Sequence, residues 1–125
     1  MQVLFFILKQ VGLMNDILHE LAEAGIRGGT ILDAKGMGEA LLNMEDLPMF
    51  GALRSLLSNE EKEDVKILMF VVQDCEVVPT ASTIKKVVDL SQPNTGILFS
   101  VPIYYCEGLN KYINSKSYYL FKPSQ

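Results

Sequence analysis

Two segments of this chain are apolar at every position, and this feature most limits the folds open to it. Residues 3–8 read VLFFIL and residues 67–72 read ILMFVV. Short runs rich in β-branched and aromatic residues are typical of buried strands. Successive side chains of a strand point to opposite faces of its sheet, so both faces must be covered here. One layer of helices covers only one face. The apolar character of the other face predicts self-association, or a cover formed by the tail or by residues 39–64.

The hydrophobic periodicity elsewhere predicts the order β-α-β-β-α-β. The expected strands are residues 3–8, 30–34, 65–73 and 97–105. The first helix carries an apolar stripe of Leu13, Ile17, Leu21 and Ala24, widened by Leu18 and Ala22, and it stops at Gly25. A second helix is expected after Pro79, with Ile84, Val87 and Val88 facing the core. Right-handed crossovers then give an α+β, ferredoxin-like βαββαβ sandwich with an antiparallel sheet.

Composition narrows the class of protein. The 125 residues are 49% hydrophobic and 21% charged, which suits a single domain over residues 1–125. A net charge of −4 without a basic cluster argues against binding to nucleic acid or to an anionic membrane. The apolar N-terminal segment is far shorter than the roughly 20 residues of a membrane helix. Two cysteines favour free thiols in a reducing cytoplasm.

Residues 39–64 form an insertion between the second and third expected strands. Its apolar residues favour one or two short helices, with Phe50 and Leu53 buried and Arg54 exposed. A disordered arm that becomes ordered on a partner protein is the alternative. Residues 107–125 form a polar tail whose apolar patch, residues 118–121, would add an edge strand or pack on a neighbouring subunit.

The residues capable of chemistry are few. His19, the single histidine, lies on the polar side of the first helix, where a solvated role is expected. Cys75 and Cys106 lack the spacing of a zinc site, so no metal is expected. Asp33 and Lys35 would either orient a ligand or pair on the surface. No nucleophile has a nearby histidine in the sequence, which predicts a protein that is not an enzyme.

Two stretches carry a resemblance to a known family. Residues 24–38 read AGIRGGTILDAKGMG, and residues 96–102 read GILFSVP. Both blocks, and the spacing between them, resemble the PII signalling proteins over about residues 3 to 105. The resemblance implies a homotrimer with three clefts between subunits. Each cleft would bind a small effector, in this family an adenine nucleotide, and the long loop at 39–64 would contact a partner protein.

The resemblance also implies a set of ligand-binding residues around the two blocks. They are Thr30, Lys35, Gly36, Met37, Gly38, Asn94, Thr95, Gly96 and Leu98. Three departures imply weakened phosphate contacts. Ile97 stands where the family has a phosphate-contacting lysine, Glu39 follows Gly38 in place of arginine, and residues 107–110 (EGLN) lack the family's arginine pair. Two other classes stay open at this point: a metal- or stress-related trimer like the CutA-type proteins, and a small ferredoxin-like enzyme.

Overall fold

The computed structural model describes residues 1–42 and 64–109. Within them, a four-stranded antiparallel sheet has the strand order β2-β3-β1-β4. The strands are β1 (Gln2–Leu8), β2 (Thr30–Ala34), β3 (Val65–Val72) and β4 (Gly96–Pro102). The helices are α1 (Met14–Glu23), α2 (Met37–Leu42) and α3 (Val77–Lys85), and short 3-10 turns at Val11–Leu13 and Asp74–Glu76 lead into α1 and α3. The predicted α+β, ferredoxin-like fold is confirmed.

The core lies between the sheet and helices α1 and α3. Alternate residues of β1 are buried there, and Phe6 is fully inaccessible to solvent. The buried cluster is made up of Leu4, Phe6 and Leu8 from β1, Leu68, Phe70 and Val72 from β3, Met14, Ile17 and Leu21 from α1, Ile84 from α3, and Val88 shortly after α3. This alternation is what a strand buried under one helix layer requires.

The opposite side of the sheet is also apolar, and we call it the open face. Strand register places on it Val3, Phe5, Ile7, Leu32, Ile67, Met69, Val71, Ile97, Phe99 and Val101. Within the described residues, the part of this face formed by β4 remains accessible to solvent, with Ile97 54% and Phe99 41% exposed. The prediction that β1 and β3 are apolar on both faces is therefore confirmed. The proposed alternative cover was residues 39–64 or the tail 107–125, of which residues 43–63 and 110–125 lie outside the described residues.

Helix α1 differs from its predicted stripe at both ends, and Leu18 and Ala22, which were expected to widen the stripe, are exposed. Met14 is buried with Ile17 and Leu21, whereas Ala24 is exposed. The reason is that α1 ends at Glu23 and the chain turns at Gly25, whose φ of 79° favours glycine. Ala24 therefore lies past the last helical turn, where it cannot face the core.

Helix α3 begins two residues before Pro79, not after it. Its start is set by the preceding turn, where the Gln73 backbone N–H donates to Glu76 Oε1 at 2.8 Å in a capping box. Pro79 is tolerated because it falls in the first helical turn, where backbone N–H groups lack helical partners. Ile84 and Val88 are buried as predicted, and Val87 is half-buried.

The other strand ends also needed correction. Strand β3 ends at Val72, and β4 ends at Pro102 instead of residue 105. Pro102 is opposite Gln2, the first residue of β1, and beyond it only the Ile103 N–H continues the pairing, donating to the Met1 carbonyl at 3.0 Å. Tyr104 consequently projects into solvent and is 98% exposed.

The insertion after β2 begins with a helix that sequence patterns did not predict. Helix α2 spans Met37–Leu42, and its first turn is closed by the Ala40 N–H donating to the Gly36 carbonyl at 3.1 Å. The expected helices around Phe50 and Leu53, and the apolar patch at 118–121, lie outside the described residues. The single domain over 1–125 with a tail from 107 likewise stays a prediction.

Candidate functional site

The end of the first glycine-containing block and the start of the second lie at one end of the sheet, which we call the loop end. There β2 finishes at Ala34, β3 starts at Val65, β1 finishes at Leu8 and β4 starts at Gly96. However, β2 and β4 are the two edges of the sheet. With strands about 4.8 Å apart, three spacings separate the blocks by roughly 14 Å. One chain therefore holds the end of the first block and the start of the second at the same level without bringing them together.

The first block lies along β2 and the residues after it. Thr30 is at the start of β2, opposite Met69, and so is distant from the loop end along the strand. Lys35 and Met37 are exposed, and Gly36 and Gly38 are half-buried. Gly36 precedes helix α2, and Met37 and Gly38 are the first two residues of this helix. This block offers an ammonium group, a thioether and main-chain polar groups to a ligand.

The residues of the turn before β4 and of the start of β4 are largely engaged in contacts within the chain. Asn94 has a φ of 60°, a conformation that asparagine adopts more readily than most residues. Thr95 is buried, and its hydroxyl donates to the Gln92 carbonyl at 3.0 Å. A Cβ on Gly96 would lie 2.6 Å from the Ile7 carbonyl oxygen, so this glycine is required by strand packing. Leu98 packs its side chain against the core.

These contacts change what the second block can offer to a ligand. Asn94 is exposed and its amide is accessible, whereas the side chains of Thr95 and Leu98 are engaged in the fold. The glycine was predicted because a ligand approaches closely, but the contact with Ile7 already accounts for it. The main chain and Asn94 are therefore the groups by which this turn would bind a ligand.

Asp33 pairs with Lys66, not with Lys35. The two residues are opposite each other on β2 and β3, and Lys66 Nζ lies 2.5 Å from Asp33 Oδ1. The hydrogen bond to Asp33, reinforced by its charge, raises the pKa of Lys66. The pair joins the two strands at the base of the insertion. Of the two roles predicted for Asp33, surface pairing is the one the structure shows, with a different partner.

Sequence patterns missed one cation at the loop end. Lys9 follows β1 directly, and its backbone N–H donates to the Thr95 carbonyl at 3.0 Å. This bond extends the β1–β4 ladder by one residue, which places Lys9 beside the second block. Lys9 and Thr95 are 86 positions apart in the sequence, so only the strand pairing reveals their contact. The available signal was a lysine ending an apolar run.

The remaining candidates do not form a site in the described part of the chain. His19 is exposed on α1, with Nε2 3.9 Å from Glu23 Oε1. Cys75 is exposed and Cys106 is partly exposed, and both are free. Among residues 1–42 and 64–109, no three His, Cys, Asp or Glu residues are grouped as metal ligands. Nor is any helix of those ranges long and apolar enough to cross a membrane.

Comparison with protein families decides the class. The sequence model of the family described as Nitrogen regulatory protein P-II matches residues 2–110. The chain belongs to the P-II family. The match includes the whole sheet, both glycine-containing blocks and the insertion between them. A search of curated proteins found no match to the sequence.

Membership of the P-II family selects one of the three classes considered. Members of this family are non-enzymatic regulators, so this chain is a signal-transduction regulator and not an enzyme. The predicted family and the predicted absence of catalysis are both confirmed by the match. The residues that bind an effector, and the effector itself, stay predictions.

Proposed function

We propose that this P-II family chain works as a homotrimer that binds a small effector in three clefts between subunits and regulates a partner protein. The observation that carries the proposal is that the end of the first block and the start of the second lie at the same end of the sheet but on opposite edges. In a ring of identical subunits, the β2 edge of one subunit can meet the β4 edge of the next. Each cleft would then combine one block from each neighbour.

The open face supports association independently. Ten apolar side chains from all four strands lie on it in register. Monomeric proteins rarely expose contiguous apolar patches above a few hundred Å². Burial contributes about 25 cal/mol per Å² of apolar surface, so packing this face against other copies is strongly favourable.

The effector we favour is an adenine nucleotide bound with weakened phosphate contacts. The walls would be formed by Gly36, Met37 and Gly38 from one subunit and by Asn94, Thr95 and Gly96 from the next. Lys35 would lie next to Gly36, and Thr30 and Leu98 further along the two edge strands. Ile97 provides hydrocarbon next to the turn, and Glu39 adds negative charge near the other block. Both features disfavour a triphosphate, since phosphate recognition relies on cations and main-chain N–H groups.

The partner protein would be contacted through residues 39–64. Asp33 and Lys66 tie together the strands on either side of this segment. A ligand in the adjacent cleft regulates the segment only if it binds one of its arrangements better than another. No metal is part of the proposal.

Two measurements test it. Light scattering should give the mass of a trimer at micromolar concentration, and a stable monomer would contradict the proposal. Thermal unfolding with adenosine, AMP, ADP and ATP should then show stabilisation by at least one of them. A ligand at 100 times its Kd adds about 2.7 kcal/mol to the free energy of unfolding.

Matched variants locate the site. Asn94→Asp adds negative charge at the exposed turn while keeping a residue that tolerates positive φ. It should weaken binding of the nucleotides. Ser82→Asp adds the same charge on the exposed side of α3 and should leave binding unchanged. Equal losses in both variants would show that the cleft is not where the ligand binds.

A further inference from the structure

Lys9 is a half-buried lysine in direct main-chain contact with the turn before β4. Its N–H donates to the Thr95 carbonyl at 3.0 Å, and Asn94, an exposed residue of that turn, precedes Thr95 in the chain. The alternation that puts Val3, Phe5 and Ile7 on the open face makes position 9 the next member of that series. The flexible four-carbon stem of lysine can then carry its ammonium group along the β4 edge.

The cations at the loop end are not equivalent. Lys66 is held by Asp33 at 2.5 Å, so its charge is already matched. Lys35 lies beyond β2, at the opposite edge of the sheet. Within residues 1–42 and 64–109, Lys9 is in none of the ion pairs, and it is the lysine beside the second block.

We infer that Lys9 is the residue that binds an anionic group of the effector at this turn. The inference rests on the proposed cleft and specifies its ligand, which is a molecule with one compact anionic group such as a monophosphate. The ammonium group would donate to phosphate oxygens, and the Asn94 amide would add a neutral donor from the same turn. A single ammonium group suits one phosphate better than a triphosphate. Ile97, which follows Gly96 at the start of β4, offers only hydrocarbon to any further phosphate.

The arrangement also explains how the site works without a lysine in β4. A cation at the end of β1 reaches the same turn from the neighbouring strand, because β1 and β4 pair up to Leu8 and Gly96. Lys35 of the adjacent subunit would face it across the cleft. Lys9 therefore supplies charge from the β4 side, and Lys35 from the β2 side.

Binding of adenosine and AMP to four proteins tests the role of Lys9: the wild type, Lys9→Gln, Lys9→Arg and Arg27→Gln. Arg27 is exposed between α1 and β2, at the end of the sheet opposite the loop end, and so controls for loss of one charge. Calorimetry should show AMP binding about tenfold tighter than adenosine in the wild type, the effect of one charge-assisted hydrogen bond. Lys9→Gln should abolish this preference, while Lys9→Arg and Arg27→Gln retain it.

The main-chain bond from residue 9 to Thr95 persists in every variant, so folding should be unaffected; circular dichroism and light scattering check this. A Lys9→Gln protein that is folded and still prefers AMP by tenfold overturns the inference. If neither adenosine nor AMP binds to any protein, the adenine assignment in the proposed function fails. Inorganic phosphate then decides on Lys9 alone. Stabilisation of the wild type but not of Lys9→Gln supports the inference, and equal shifts, or none, overturn it.

Discussion

The rings of Phe5 and Phe99 stack on the open face, with their centroids 5.2 Å apart and their planes inclined by 25°. They are direct partners across β1 and β4. Phe6, the neighbour of Phe5, is fully buried on the other face beneath the helices. Two adjacent phenylalanines thus occupy different environments, one of which we assign to the subunit interface.

A negative charge at each position should separate folding from assembly. Phe6→Asp should unfold the chain, because an unpaired charge in the core costs several kcal/mol out of the 5–15 kcal/mol typical of a domain. Phe5→Asp should leave a folded but dissociated chain. Circular dichroism measures the first effect and light scattering the second. A Phe5→Asp protein that keeps the mass of the wild-type oligomer would remove the open face from the interface.

Gly96→Ala should destabilise the chain through packing. The added Cβ would lie 2.6 Å from the Ile7 carbonyl oxygen and 2.8 Å from the Phe6 ring, and a backbone atom cannot easily move aside. We expect a loss of about 1–3 kcal/mol in the free energy of unfolding, the usual cost of overpacking. Gly12→Ala is the matched control, because its Cβ would meet nothing within 4 Å.

Chemical denaturation measures both variants. Gly12→Ala should be neutral or should stabilise by up to about 1 kcal/mol, because alanine restricts the unfolded chain. If Gly96→Ala is as stable as the wild type yet fails to bind nucleotide, the glycine serves the ligand after all. Loss of stability without ligand present supports the role in strand packing.

Sequence patterns predicted the fold well where hydrophobic spacing alone decides the structure. Strand β2 was placed at residues 30–34, as observed, and β1 and β3 were each within one residue at either end. The faces of Phe5 and Phe6 also followed from the period of two in a strand. Errors occurred at ends, where a local contact decides: the capping box of Gln73 and Glu76 for α3, and the end of the pairing with β1 for β4.

The candidate site was harder to predict because its contacts join distant parts of the chain. Motif spacing located the two blocks in the chain, but not the residues that contact them. Lys66 as the partner of Asp33, and Lys9 beside Thr95, depend on strand register, which residue spacing within one strand does not give. The sequence likewise does not show whether a glycine is required by a ligand or by a neighbouring strand.

The Asp33–Lys66 pair should be visible in the titration of Lys66. Its hydrogen bond and charge raise the pKa of Lys66 above 10.5, so this contribution to stability is fully present below pH 10.5 and is lost as the pH rises through the folded-state pKa. Asp33→Asn should bring the pKa down towards 10.5, as followed by NMR of the lysine side chain. Asp16→Asn, on the exposed side of α1, should leave it unchanged. An identical Lys66 titration in Asp33→Asn would show that the pair is not formed in solution.

Ile97→Lys should create the affinity for ATP that the proposed cleft lacks. Ile97 is 54% exposed and directly follows Gly96 at the loop end of β4, so a lysine there would reach the proposed cleft without entering the core. One charge-assisted hydrogen bond to a phosphate contributes about 1.5–3 kcal/mol, which corresponds to a rise of tenfold or more in ATP affinity. Ile97→Gln is the control for polarity without charge and should leave ATP binding weak. Calorimetry at several salt concentrations should show that the gain falls as screening increases. Sub-micromolar ATP binding by the wild-type protein would show that Lys9 and the main chain already suffice, and that Ile97 does not limit the charge of the ligand.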